Sequence, residues 1–515
     1  MEGRLRSFDG TTDQDPLYTF SMKQLDIIAD EIDQASDDKD VQGLQNALDK
    51  IQTLLDTDDQ TSEATLYYYR ANAFAALRAV KPDFPEVQFQ WHQSELSDEI
   101  LSLRIAIASD NFLQLDLVRC CQIYTNLGNA LNAVGRPIEA LAAWDQALQI
   151  IPTFAMAAAN RAHGLCQYQA GLYDSGHQCL ILAEAARSFE IALSDKAFWD
   201  GDYPSTVKQQ FHNKLSQIQN YLEGNCDDLK DFDPNAFELG QNDETIALNT
   251  WRLRNRLFLN PLNDLGELAV ASQDVFHLPN HLYTLDEKVR FPHYYDQIKQ
   301  EYVAACVLLW EGLSETSVHP TDDTLLTFEH GDYSVTSIQI EKQKVAFRMA
   351  YSLLDKCGVF INDYFALGQD PKSLATSFRK VWFKRGKKTL LENLPVMNWR
   401  LRGIYAISLD LFDEQFSELT SPVAKSANDL RNAAEHRFVS IHEETLYDDV
   451  PDLFEPISVS ELEELALHML KLARSTIMGL SFAMNHQEQY INQPTEDKLT
   501  VPISKARKKR NRSHQ

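Results

Sequence analysis

Apolar residues recur at three- and four-residue steps through most of the chain, and Gly, Pro and polar clusters separate the runs. This is the pattern of amphipathic helices. In the C-terminal half, five segments carry it: 295–313, 340–368, 398–414, 421–442 and 458–487. Each is long enough for a bundle helix, so an up-and-down bundle of four or five helices is expected over 291–490. Within 421–442, Val423, Ala427, Leu430, Ala434, Phe438 and Ile441 form the apolar stripe. The periodicity fails over 224–290. There an acidic, turn-rich run gives way to apolar text broken by Pro261, Gly266 and Pro279, and the stretch reads as a connector without assignable chemistry.

The N-terminal half reads as helical repeats. The 34 residues CQIYTNLGNALNAVGRPIEALAAWDQALQIIPTF carry Tyr124, Leu127, Gly128, Leu131, Gly135, Ala140, Trp144, Ala147 and Pro152. They resemble a tetratricopeptide (TPR) repeat: Gly128 and Ala140 let two helices approach, Trp144 fills the space between them, and Pro152 ends the second. A weaker copy follows, with Gly164, Gly171, Tyr173 and Asp174. Upstream, the text around Ala71 and Asn72 echoes the first helix, with a partner near 95–109 beyond an insertion holding Pro82 and Pro85. Further helices are expected near 23–34 and 42–55. Three helix pairs meet the minimum for a solenoid with a peptide- or protein-binding surface; a generic helical bundle is the plainer alternative. The expected organisation is therefore all-α, with TPR-like repeats over 1–223, a connector at 224–290, the bundle at 291–490 and a basic, disordered tail at 491–515.

Length and composition fit this picture. At ~150 residues per domain, 515 residues suggest two to four units, and 44% apolar content with 24% charge is that of a well-buried chain. No run of about 18 apolar residues offers a membrane span, and the N-terminal text lacks a secretory h-region. The seven cysteines form no CxxC and read as reduced core residues of a cytoplasmic protein. The net charge of −27 excludes a surface that binds nucleic acid throughout. The acid is concentrated early: residues 1–61 hold 15 acids against 5 bases. RKVWFKRGKK, at 379–388, has no acid, and the tail from Lys505 to Arg512 is also basic. Any RNA would meet the C-terminal half. Lys384, Arg385, Lys387 and Lys388 are the candidate phosphate contacts, with Trp382 and Phe383 interleaved for stacking; a solvated turn at Gly386 is the alternative.

The candidate chemistry lies in DLRNAAEHRFVSIHEE, 429–444. On a helix Asn432 and His436 share a face, and Arg431 stands ~140° from His436, flanking the stripe. That puts the group on a surface one copy does not bury, where a second copy or a substrate would cover it. The R-x4-H spacing is cheap: Arg437 and His442 repeat it, and an Arg431–Glu435 pair with a solvated His436 is an ordinary reading. LRNAAEHRF, late in an all-helical bundle, resembles the HEPN superfamily signature of an Arg, a polar residue and a His. With the repeats before it, the arrangement is similar to the branch in which a HEPN domain follows TPR repeats, found among bacterial conflict and defence effectors. The resemblance implies a metal-independent endoribonuclease without a cofactor, whose site forms in a homodimer. Arg431 and His436 would be catalytic and Asn432 supporting. Histidine suits proton transfer at the ribose 2'-hydroxyl and the leaving oxygen, and arginine suits stabilisation of the phosphorane. Glu435 stands where it would neutralise Arg431 or raise the His436 pKa. The rival readings are a non-enzymatic TPR scaffold with a degenerate dimerising bundle, and a nucleotide-binding sensor.

Two other patterns are weaker. Asp38, Asp40, Gln42, Gly43 and Asp49 mimic a calcium loop but fit an acid-capped helix start better. His277 and His281 have a metal-like spacing, but Pro279 intervenes and no third ligand follows, so a loop is expected and no metal.

Overall fold

The computed structural model describes residues 16–57, 62–81, 89–226, 231–284, 289–315, 317–326, 334–371, 376–412, 438–443, 454–491 and 498–501. The expected all-α architecture holds: fourteen α-helices and four short strands are found among the described residues. No described helix is long and apolar enough to cross a membrane. The chain forms two compact units, 1–115 and 116–515.

The first unit holds α1 (Pro16–Asp37), α2 (Val41–Leu55), α3 (Glu63–Val80) and α4 (Ser94–Ala108). The calcium-like text is the start of α2, where the Asp40 carboxylate accepts the Gln42 N–H at the N-cap. Helices α3 and α4 pair as the sequence suggests and are joined by the buried end of the Arg78–Glu99 ion pair.

The second unit begins with α5 (Leu117–Val134), α6 (Pro137–Ile150), α7 (Ala155–Ala170) and α8 (Ser175–Leu193), two helix pairs extended by α9 (Ser205–Asn225). Trp144 explains two of the glycines. A Cβ on Gly128 would lie 2.5 Å from its Nε1, and one on Gly164 would lie 2.2 Å from its Cζ3, so the indole fills the gap between α5 and α7. Asp116 and Asp174 cap α5 and α8. Cys179 and Cys226 form a disulfide, Cα–Cα 5.9 Å. The expectation of seven reduced cysteines is corrected here: α8 and α9 run alongside one another and bring together two residues 47 apart in sequence. Cys120, Cys121, Cys306 and Cys357 are buried thiols outside this disulfide.

After α10 (Asp243–Arg254) the connector is an ordered wedge, with Asn260, Asn263 and Asp264 at most 1% exposed. The bundle consists of α11 (Phe291–Ser314), α12 (Ile338–Tyr364), α13 (Trp399–Phe412) and α14 (Val459–His486), followed by one π-turn, Gln487–Ile491. Strand β1 (His281–Thr284) pairs antiparallel with β4 (Lys498–Val501). Strands β2 (Phe438–His442) and β3 (Phe454–Ser458) pair in parallel, Phe438 with Phe454 and His442 with Ser458. The helix expected to run to His442 therefore does not reach it. FVSIH opens on an aromatic and then alternates β-branched Val439 and Ile441 with polar Ser440 and His442, and a parallel partner captures it as strand; Ile441 is buried, but on β2.

Polar bonds tie the repeats, wedge and bundle into this one unit, so the expected boundaries at 223/224 and 290/291 fall inside it. Arg474 on α14 donates to the carbonyls of Phe258 and Asn260 and pairs with Asp264 at 2.6 Å, and the Tyr168 hydroxyl donates to the other Asp264 oxygen at 2.6 Å. Burial holds the Tyr168 pKa well above its ordinary value.

Three histidines of this unit set an acid limit. His163, wedged edge-on against Phe189 and Phe211, has its pKa lowered first by burial and then by Lys214. Burial also lowers His177 and His486. The unfolded chain binds these protons more readily than the fold does, so their contribution is complete above the ordinary value of 6.5 and is lost as pH falls through the lower folded values. Thermal melts should show Tm dropping below neutral pH, less so for His163→Gln; a Tm unchanged on acidification would refute this.

Candidate functional site

The sequence leads first to Arg431, Asn432 and His436. All three lie outside the described residues, as do Glu435 and Arg437; the structure defines what flanks them. Helix α13 leads in, and the turns of both repeat pairs hold it. Arg402 donates to the Ala133 carbonyl at 2.8 Å, Arg400 donates to the Gln167 carbonyl, and Arg136, just past the α5–α6 turn, forms a buried ion pair with Asp410. At the closest point Gly403 meets Gly135, which has φ 97°. Burial pulls the Arg400 pKa down to about 9, and the guanidinium stacks over Trp399 at 3.9 Å.

Strand β2 leads out. The Val335 N–H donates to the Ile441 carbonyl at 2.7 Å, and β3 runs directly into α14 through a capping box made by Ser458 and Glu461. His442, the histidine of the second R-x4-H spacing, is 3% exposed in this strand.

The basic stretch is a hairpin. Phe383 bridges Leu390, the Lys384 N–H donates to the Thr389 carbonyl at 2.8 Å, and Gly386 takes φ 71° in the tip. Arg385, Lys387 and Lys388 are exposed, while Lys384 pairs with Glu392. The stacking expected of Trp382 is corrected: its ring is 0% exposed, packs against Phe378 and Tyr405, and donates Nε1–H to the Phe378 carbonyl at 2.8 Å. Phe383 is half-buried against Tyr405.

A cleft of about 980 Å³ opens between α11, the end of α12, the hairpin base and the π-turn. In its wall the Tyr364 hydroxyl donates to Glu488 Oε1, and His281 Nδ1 lies 3.8 Å from the same oxygen. Arg290 clasps Asp363 through two bonds of 2.7 and 3.0 Å. His281 is thus a buried cleft residue, whereas His277 stacks on Tyr173 with its Nδ1 against the Leu278 carbonyl. Sequence reasoning had marked His281 only for its spacing. It had no signal for Tyr364 or Glu488, which come from separate helices.

Residues 282–487 match the family model of LA2681-like HEPN domains, and this part of the chain is a HEPN domain. The matched stretch contains α11–α14, the hairpin and the LRNAAEHRF text. No curated protein and no solved structure matches the chain. HEPN domains are often ribonucleases, which supports an RNA-related or defence function at that coarse level.

Proposed function

We propose that the protein is a metal-independent endoribonuclease, a toxin or anti-phage defence effector in which Arg431 and His436 are catalytic and Asn432 is the supporting polar residue, orienting the imidazole or a phosphate oxygen. The observation that carries this reading is the HEPN match over a stretch that includes LRNAAEHRF. His436 takes the proton of the ribose 2'-hydroxyl and returns one to the departing 5'-oxygen, while Arg431 holds the charge on the phosphorane. The 2'-oxygen displaces the 5'-oxygen, leaving a 2',3'-cyclic phosphate, and nothing in this route calls for a metal. One LRNAAEHRF motif supplies a single Arg and His, so the working form is a homodimer through the HEPN domain. The TPR-like helices bind a protein or peptide, and Arg385, Lys387 and Lys388, with Lys384, hold RNA phosphates.

The test is incubation of the purified protein with total RNA and tRNA in EDTA, beside Arg431→Ala and His436→Ala. Cleavage by the wild type alone, with 2',3'-cyclic ends, is the expected result. Equal cleavage by the variants would remove Arg431 and His436 from the catalytic role, and none from a confirmed dimer would replace this reading with a scaffold.

A further inference from the structure

The cleft separates its charges in an unusual way. Arg290 is ion-paired with Asp363, and Glu488 accepts from the Tyr364 hydroxyl with His281 Nδ1 3.8 Å away. A phosphate would gain little there, beside two carboxylates. What the cleft offers a ligand is aromatic surface, from Phe291, Tyr294 and Phe365, and carboxamides, from Gln369, Asn393 and Gln487. That lining suits a flat, uncharged ring with hydrogen-bonding edges.

The cations lie on the hairpin. Two cleft residues fasten the cleft to this basic region: the Gln369 side chain donates to the Phe383 carbonyl at 2.9 Å, one residue before Lys384, and Asn393 just beyond the hairpin donates to the Ala366 carbonyl at 3.0 Å. An aromatic, carboxamide-lined pocket tied to a hairpin that exposes Arg385, Lys387 and Lys388 has the division of labour that single-stranded nucleic acid needs, with phosphates outside and a base within.

We infer that this cleft receives one unstacked base of single-stranded RNA whose backbone crosses the 383–390 hairpin. The inference rests on the ribonuclease reading and adds to it a recognition pocket. A duplex, with its bases stacked and paired, does not enter.

Binding of a labelled octauridylate is measured in EDTA with full-length His436→Ala, which keeps the oligonucleotide intact, against a ribose-phosphate chain of the same length lacking bases. Two cleft variants are made in that background: Tyr294→Ala, which removes a stacking face, and Val359→Trp, which fills the cavity. Circular dichroism and Tm confirm their folds, and Tyr294→Ala alone suffices if the tryptophan is not tolerated. The parent should prefer the base-bearing chain by about tenfold or more, and the cleft variants should lose that preference while retaining binding to the bare backbone. Charge reversal at Arg385, Lys387 and Lys388 should weaken both ligands together and flatten the salt dependence. If the parent binds both chains equally, or the cleft variants keep its preference, the cleft inference fails and the ribonuclease reading stands. If the parent binds neither chain at low salt, both fail.

Discussion

Asp264→Ala is expected to destabilise the C-terminal unit by ~3–5 kcal/mol, several degrees in Tm. The carboxylate is 0% exposed and faces two donors, Arg474 at 2.6 Å and the Tyr168 hydroxyl at 2.6 Å. Removing it leaves a guanidinium, itself 1% exposed, with only the carbonyls of Phe258 and Asn260. An uncompensated buried charge costs far more than the intact pair contributes. Arg474→Met in the Asp264→Ala background removes that charge, so the double variant should be more stable than the sum of its parents allows. Denaturant titration checks both points. An Asp264→Ala protein within about 0.5 kcal/mol of wild type, the range of an ordinary surface change, would mean the network is not formed in solution.

Gly403→Ala should be nearly as damaging, for a steric reason. A Cβ there would lie 2.0 Å from the Gly135 carbonyl oxygen and 2.6 Å from its carbon. Both atoms are backbone, so no side-chain rotation relieves the clash, and α13 must back away from the α5–α6 turn. Overpacking costs typically ~1–3 kcal/mol, and loss of the neighbouring Arg136–Asp410 and Arg402–Ala133 contacts adds to it. Because α13 leads into the Arg431–His436 stretch, RNA cleavage should fall together with stability. Gly224→Ala supplies the contrast: nothing lies within 4 Å of its added methyl in α9, and the change should be neutral or stabilising, since alanine is the better helix former. Equal effects from the two substitutions would remove the steric argument.

The helix pairs of the N-terminal half were legible because their packing is local: Gly128, Trp144 and Pro152 lie within 25 residues of one another, and spacing alone brings the first two together. The bundle helices α11–α14 were legible for the same reason, through their apolar stripes. The wedge was not. Asn260, Asn263 and Asp264 are ordered by groups as distant as Arg474 and Tyr168, and no periodicity reveals a polar side chain whose partner lies 210 residues away. FVSIH was misread because a short apolar run fits a helix or a strand until its partner, Phe454–Ser458, is known. The Cys179–Cys226 pair had no motif at all. The roles proposed for Arg431, Asn432 and His436 rest on family resemblance, since their spacing alone is common. The cleft gathers residues from 281 to 488, and only folding assembles it.

The bonds that cross residue 282 make the domain named by sequence different from the one that folds. The matched stretch 282–487 contains Arg400, Arg402, Arg474 and Asn485, and each has a partner upstream of that boundary: Gln167, Ala133, Asp264 and Gly171. Cut at 282, a fragment would present three buried guanidiniums and a buried amide to water, while the helices left behind would lose the bundle they lean on. In recombination between genes this HEPN domain is therefore not a cassette that moves alone; α5–α10 and the wedge must be inherited with it.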